Sequence, residues 1–123
     1  MYEWRTDGER KHLYHLRHPD GKPFLFAGRW EQWGDAAATL LTCCLITTDA
    51  NGTVGKVHDR MPVILAADAL GTWLDPTAPT ERLQELLAPG PDDLLDAIAV
   101  SKLVNSPKND GPECIAPEKA DHT

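Results

Sequence analysis

The sequence predicts an α+β fold of mixed, largely antiparallel strands with short helices, on three observations. Short apolar and β-branched runs recur between turn-forming residues. Two brief stretches carry helical spacing. Strands and helices are interspersed without the regular βαβ repeat that a parallel sheet needs. At 123 residues the length is that of one domain, large enough to bury roughly two-thirds of its unfolded surface. An apolar share of 41% with four tryptophans describes a globular rather than a disordered chain.

The elements follow in order. Tyr2-Glu3-Trp4 reads as a strand entered with no polar leader, a start that resembles an internal cut more than a domain edge. Residues 12–16 and 24–27 read as two strands of a hairpin around Pro19-Asp20-Gly21. Residues 39–48, rich in β-branched and aliphatic side chains, read as a buried strand that ends at Asp49-Ala50-Asn51-Gly52. Residues 61–65 read as another strand, with Pro62 near its start. Asp68 is expected to cap a short helix ending before Asp75-Pro76, and Thr80 a second over residues 81–88 with Leu83, Leu86 and Leu87 on one face. Residues 98–104 read as the last strand, and the Pro- and acid-rich stretch from Asn105 as loop.

The net charge of −7 opposes non-specific attraction to nucleic acid, but it is unevenly spread. Residues 1–30 carry six bases against four acids, a balance of +2, and the remainder −9. Any contact with nucleic acid is therefore expected through the N-terminal third. No apolar run approaches the ~18 residues that span a bilayer, and residues 1–7 lack the apolar core of a secretory signal. A cytoplasmic location with no membrane partner is expected. Cys43, Cys44 and Cys114 form no even-numbered disulfide framework, so reduced thiols are expected.

Several residues invite chemistry and are weighed against plainer roles. His58-Asp59-Arg60 sets an imidazole, a carboxylate and a guanidinium just before a strand, where side chains often project into a cleft; a polar turn with a surface ion pair is the plainer role. Glu3, taken alone, would be a solvated carboxylate. His12, His15 and His18 recur every third residue, a spacing that alternates faces on a strand, so no metal site is expected. Cys43 and Cys44 lie among Leu41, Leu45 and Ile46 and are expected to be buried, inert thiols. Trp30 and Trp33 could stack nucleobases, although core packing is the commoner use of tryptophan.

Taken together, Tyr2-Glu3-Trp4, Ala27-Gly28-Arg29-Trp30-Glu31, residues 46–51, His58-Asp59-Arg60-Met61-Pro62 with residues 63–65, Val100-Ser101 with Val104-Asn105, and Pro112-Glu113-Cys114-Ile115 resemble, in order and spacing, the SRAP (SOS response-associated peptidase) family. The resemblance runs from Tyr2 to about Pro117 and corresponds to the C-terminal part of one SRAP domain, residues 1–117, followed by a frayed tail over 118–123.

The resemblance implies a protein that senses abasic sites in single-stranded DNA by a covalent crosslink. In that chemistry a terminal cysteine's α-amine and thiol capture the sugar aldehyde as a thiazolidine. It implies catalytic roles for Glu3 and His58 in proton transfer and a DNA-backbone contact for Arg60, with Trp4 and Trp30 mainly scaffold. It also implies an autopeptidase activity at the same cysteine, and neither cofactor nor metal. The family's first half, with that cysteine and an asparagine and an arginine of its DNA channel, has no counterpart here. The nucleophile is therefore missing. The alternative expectation is a catalytically inactive fragment that at most binds single-stranded DNA, with the missing half as a further partner.

Overall fold

An Asp-Gly pair at Asp7-Gly8 reverses the chain between its first two strands, Gly8 taking the positive φ of 60° that such a turn favours. The computed structural model describes residues 1–119. Strand β1 (Tyr2–Asp7) pairs antiparallel with β2 (Arg10–Arg17), and β2 pairs on its other edge with β7 (Asp96–Val100), giving the sheet order β1-β2-β7. Residues 24–27 are therefore not the hairpin partner of β2. Two Asp-Gly pairs lie near this strand, and the chain uses the upstream one for the hairpin; His18 to Gly21 forms a simple turn closed by a 2.9 Å bond from Gly21 N to His18 O.

Strands β3 (Gly28–Asp35) and β4 (Ala38–Leu45) form a two-stranded ribbon in full register from Gly28–Leu45 to Asp35–Ala38. The Asp35 carboxylate accepts from Ala37 N and Ala38 N at its turn. Strand β5 (Thr47–Asp49) pairs with β6 (Arg60–Pro62). The run expected as one strand over 39–48 thus breaks at Ile46, whose N–H donates to Ala27 O and whose carbonyl accepts from Val63 N.

The helices are shorter than the pattern suggests. Helix α1 (Leu70–Trp73) continues a 3-10 turn over Ala67–Ala69, so Asp68 lies inside that turn instead of capping it. Helix α2 (Thr80–Glu85) starts at Thr80 itself, preceded by Pro79, whose extended backbone takes the capping position. Neither helix has a side-chain cap. The last strand ends at Val100, because Ser101 caps a 3-10 turn over Lys102–Asn105 by accepting from Leu103 N. A further 3-10 turn spans Pro112–Ile115.

The chain divides into two compact units, each assembled from separate stretches. The first takes Met1–Pro23, Ala50–Asp59 and the chain from Pro91 onward; the second takes Phe24–Asp49 and Arg60–Gly90. Leu13, Leu16, Val54, Val57, Leu95, Val100 and Cys114 are the buried apolar residues of the first unit. Beyond Pro117, which bridges to Val100, Glu118 N donates to Ala99 O at 2.7 Å; of the tail expected over 118–123, residues 120–123 lie outside the described residues. In the second unit Ala27, Val63 and Leu65 form a buried cluster, against which Leu25, Ile46, Leu70, Trp73, Leu86 and Leu87 pack. Leu86 and Leu87 serve the apolar face expected of the second helix, although both follow its last turn.

Two burial expectations fail together. Cys43 and Cys44 are exposed, and so is all of β4; Trp30 and Trp33 are 71% and 73% exposed. The physical reason is topological. The ribbon has no third strand among the described residues and carries no layer over either face, so apolar strand sequence does not translate into burial.

Candidate functional site

Glu3 sits on β1 opposite Tyr14 of β2, half-buried, with its carboxylate accepting from Trp4 N at 3.2 Å. Alternation along the strand puts Glu3 and Arg5 on the same sheet face as Tyr14, while Tyr2 and Trp4 occupy the other. On that other face Tyr2 packs against His15 with ring centroids 5.1 Å apart, its hydroxyl directed at Cys114 O at 3.5 Å, and the Lys102 ammonium lies 6.0 Å from the Trp4 ring centroid. The Tyr-Glu-Trp block at the start of the chain is thereby braced by the Pro-Glu-Cys-Ile block near its end.

His58 is carried by a pinned turn. Buried Asn51 accepts from Val54 N at 2.9 Å and donates to Pro91 O at 3.1 Å. Gly52 N donates to the Asp92 carboxylate at 2.6 Å, and the Thr53 hydroxyl donates to Asp92 O. A Cβ at Gly52 would lie 2.6 Å from that carboxylate, so a larger residue there would have to displace the Asp92 side chain. His58 N then closes onto Val54 O at 2.8 Å, and its Nδ1 lies 3.3 Å from Asp59 Oδ1.

The same turn helps to wall a cavity of about 600 Å³ within the first unit, where Arg5 and Tyr14 meet Thr53, Lys56 and Val57. The sheet face that bears Glu3 is therefore the face over which the segment leading to His58 lies. The cavity's charge is mixed, with Arg5 and Lys56 lining it alongside Asp92, Asp93 and Asp96, and neither base was singled out from the sequence. Period-two alternation from Glu3 to Arg5 is the signal that would have found Arg5; nothing local marks Lys56.

Arg60 belongs to the second unit. It pairs across the β5–β6 ladder with Asp49, donates from Nη1 to Asp49 Oδ1 at 2.9 Å and from Nη2 to Thr47 Oγ1 at 3.1 Å, and remains about half exposed. Among the described residues no group of three or more His, Cys, Asp or Glu is arranged to hold a metal ion, and no helix is long and apolar enough to cross a membrane.

Two comparisons of fold and sequence define the class. A crystal structure of a protein from Bacteroides thetaiotaomicron superposes with a TM-score of 0.85 at 27% identity, covering 96% of this chain and 53% of that one. The family model described as SOS response associated peptidase (SRAP) matches residues 1–107. The chain belongs to the SRAP family.

Its relatives include the abasic site processing protein YoaM of Bacillus subtilis, 43% identical over 122 residues, covering 96% of this chain and 53% of that protein. The abasic site processing protein HMCES of Gallus gallus is 32% identical over 139 residues, covering 95% of this chain and 41% of that protein. The chain spans about half the length of the Bacillus relative it matches.

Proposed function

We propose that this chain carries the proton-transfer groups and part of the DNA-binding surface of a domain that processes abasic sites in single-stranded DNA by covalent crosslinking. The reading is supported by Glu3 sharing a sheet face with Arg5 and Tyr14, which wall a cavity together with Thr53, Lys56 and Val57 of the turn leading to His58, in a chain whose relatives are named abasic site processing proteins.

The proposed chemistry needs an amine to condense with the sugar aldehyde, expelling water to form an imine. A thiol then adds to the imine carbon and closes a thiazolidine, its proton passing to the ring nitrogen. Glu3 and His58 supply the acid and base for these transfers, and Arg60 supplies a cation for a phosphate. Cys43, Cys44 and Cys114 are all internal, so none joins an α-amine to a thiol. That favours a second reading for the chain acting alone: single-stranded DNA binding without crosslinking or autopeptidase activity.

Abasic single-stranded DNA, incubated with this chain alone and with a fusion to the half of YoaM that this chain does not match, resolves the two on denaturing gels. The expected result is no heat-stable shifted band from the chain alone and a shifted band from the fusion, weakened at least tenfold in rate by Glu3→Gln or His58→Ala. A crosslink from this chain alone, or none from a folded fusion, overturns the proposal.

A further inference from the structure

The β1–β2 hairpin outruns its neighbour in the sheet. Strand β7 ends at Val100, which pairs with Leu13, so Arg10, Lys11 and His12 extend past the last residue of β7. The chain turns away at Ser101 into the 3-10 turn that carries Lys102, and Pro117 returns to bridge Val100. Between these segments lies a cavity of about 530 Å³ within the first unit, where Arg10, Lys11, His12 and Lys102 meet Glu9 and Glu118. Arg10, Lys11 and Lys102 are exposed, and among the described residues none of them forms an ion pair, although two carboxylates line the same recess and Asp7 stands opposite Arg10 in the register. Lys102 lies over the Trp4 ring instead. In a chain with 19 acids to 12 bases, carboxylates are in supply. Three cations gathered without one form a charge arrangement that an anion from outside completes.

The recess also lies in line with Glu3. Arg5 pairs with His12 and Asp7 with Arg10, so the sheet face that bears Glu3 carries Arg5 and then Arg10 at successive two-residue steps of ~6.8 Å each. That step is close to the spacing of phosphates along an extended single strand. Arg5 likewise forms no ion pair among the described residues. We infer that this recess holds backbone phosphates of single-stranded DNA on one side of the abasic nucleotide, with Arg5 between it and Glu3. The inference deepens the functional reading above and rests on it for the identity of the ligand. An extended row of cations suits a strand better than a compact anion, which needs donors that converge on one point. The Arg10 guanidinium can grip two oxygens of one phosphate, while Lys11 and Lys102 act as point charges. With two carboxylates against three cations the local surplus is small, so binding is weak and steeply salt-dependent.

The test measures binding of the 123-residue chain to a fluorescein-labelled single strand with a central abasic analogue, by anisotropy across a sodium chloride series. Arg10→Gln and Lys102→Gln each weaken binding several-fold at low salt and lower the slope of log K against log salt by about 0.7 per lost phosphate contact. Lys108→Gln, the same charge change at another exposed position of the first unit, leaves the slope unchanged. Circular dichroism melts that match wild type establish that the variants are folded. Strands extending from the abasic analogue on one side only then locate the contact: the Arg10 and Lys102 variants are impaired on one of the two and not on the other. Wild-type slopes in both variants overturn the inference, as do equal impairment on the two one-sided strands and an absence of measurable binding by wild type. Sodium phosphate that displaces DNA far better than chloride at equal ionic strength, in wild type but not in Lys102→Gln, makes the site one for a free anion and overturns it. Polyglutamate that binds wild type and not Lys102→Gln, with DNA binding indifferent to the substitution, makes the occupant an acidic protein segment and overturns it too. DNA binding that falls with Arg60→Ala but not with Arg10→Gln or Lys102→Gln sinks this inference alone. A folded fusion that fails to crosslink abasic DNA, while binding still depends on Arg10 and Lys102, sinks the crosslinking reading alone.

Discussion

Asp49 and Arg60 are partners twice over, facing each other in the β5–β6 register and joined side chain to side chain at 2.9 Å. The cation proposed to meet a DNA phosphate is thus held by an exposed carboxylate, 88% accessible, that repels the same phosphate. An exposed pair of this kind contributes little stability, so its effect on binding is separable from its effect on folding.

Removing each partner should act in opposite directions. Arg60→Ala is expected to weaken binding to single-stranded DNA and to lower the slope of log K against log salt by about 0.7, the value for one phosphate contact on a single strand. Asp49→Asn is expected to tighten binding several-fold at low salt while leaving thermal stability nearly unchanged. Fluorescence anisotropy across a salt series reads both; identical slopes for wild type and Arg60→Ala would remove Arg60 from the interface.

The Asn51 turn makes a stability prediction. Asn51→Ala leaves Val54 N without its side-chain acceptor and leaves Pro91 O with only its bond from Leu94 N, both inside the first unit. Losing the buried bond to Val54 N and the bond to Pro91 O costs about 1–3 kcal/mol of unfolding free energy. Urea titration measures it. An unchanged midpoint would mean that the turn carrying His58 is not held by Asn51.

What was legible in the sequence follows from which forces are local. The α+β class and the strands at Tyr2, His12 and Met61 were readable because alternating apolar residues and turn-forming pairs act within a few positions. The partner of β2 was not, because Asp7-Gly8 and Asp20-Gly21 are equivalent turn signals and the choice is made by β7, some eighty residues away. The helix caps were misread because Pro79 and Ala66, with extended backbones, already set the helix starts without a side-chain bond. Burial of Cys43, Cys44, Trp30 and Trp33 was misread because an apolar strand records what it is suited to pack against, and whether a layer lies over it is decided by the tertiary fold rather than by the strand's own residues. Of the proposed site, the sequence shows the family-like motifs around Glu3, His58 and Arg60, whereas the distribution of these residues over two units and the salt link to Asp49 depended on the fold.

His15 predicts a pH dependence. Its pKa is lowered, chiefly by burial, then by the N-terminal amine and by Arg17, and its Nδ1 is buried with no hydrogen-bond partner among the described residues. The folded state therefore binds a proton at this ring less readily than the unfolded state does. Between the lowered folded value and the unfolded value of about 6.5 the unfolded state binds more protons, so stability rises with pH there. The contribution is fully present above pH ~6.5 and is lost as the pH falls. Thermal melts of wild type and His15→Phe at pH 7.5 and 5.5 isolate the ring: wild type should lose more stability on acidification than the variant, and equal losses would contradict the assignment.

The three thiols supply the most direct check on the ribbon. Cys43 and Cys44 are exposed on opposite faces of β4, whereas Cys114 is 7% exposed in the Pro112–Ile115 turn with its thiol directed at Asn109 O. Thiolate reagents react at rates set by access as much as by acidity. In the native chain two thiols should therefore label within the time of mixing and a third only on unfolding, with Cys114→Ser abolishing the slow phase alone. Mass spectrometry of the labelled peptides assigns each rate. Slow labelling of Cys43 or Cys44 in the free chain would mean that the ribbon is already covered in solution, and would return both cysteines to the buried state that their apolar neighbours suggest.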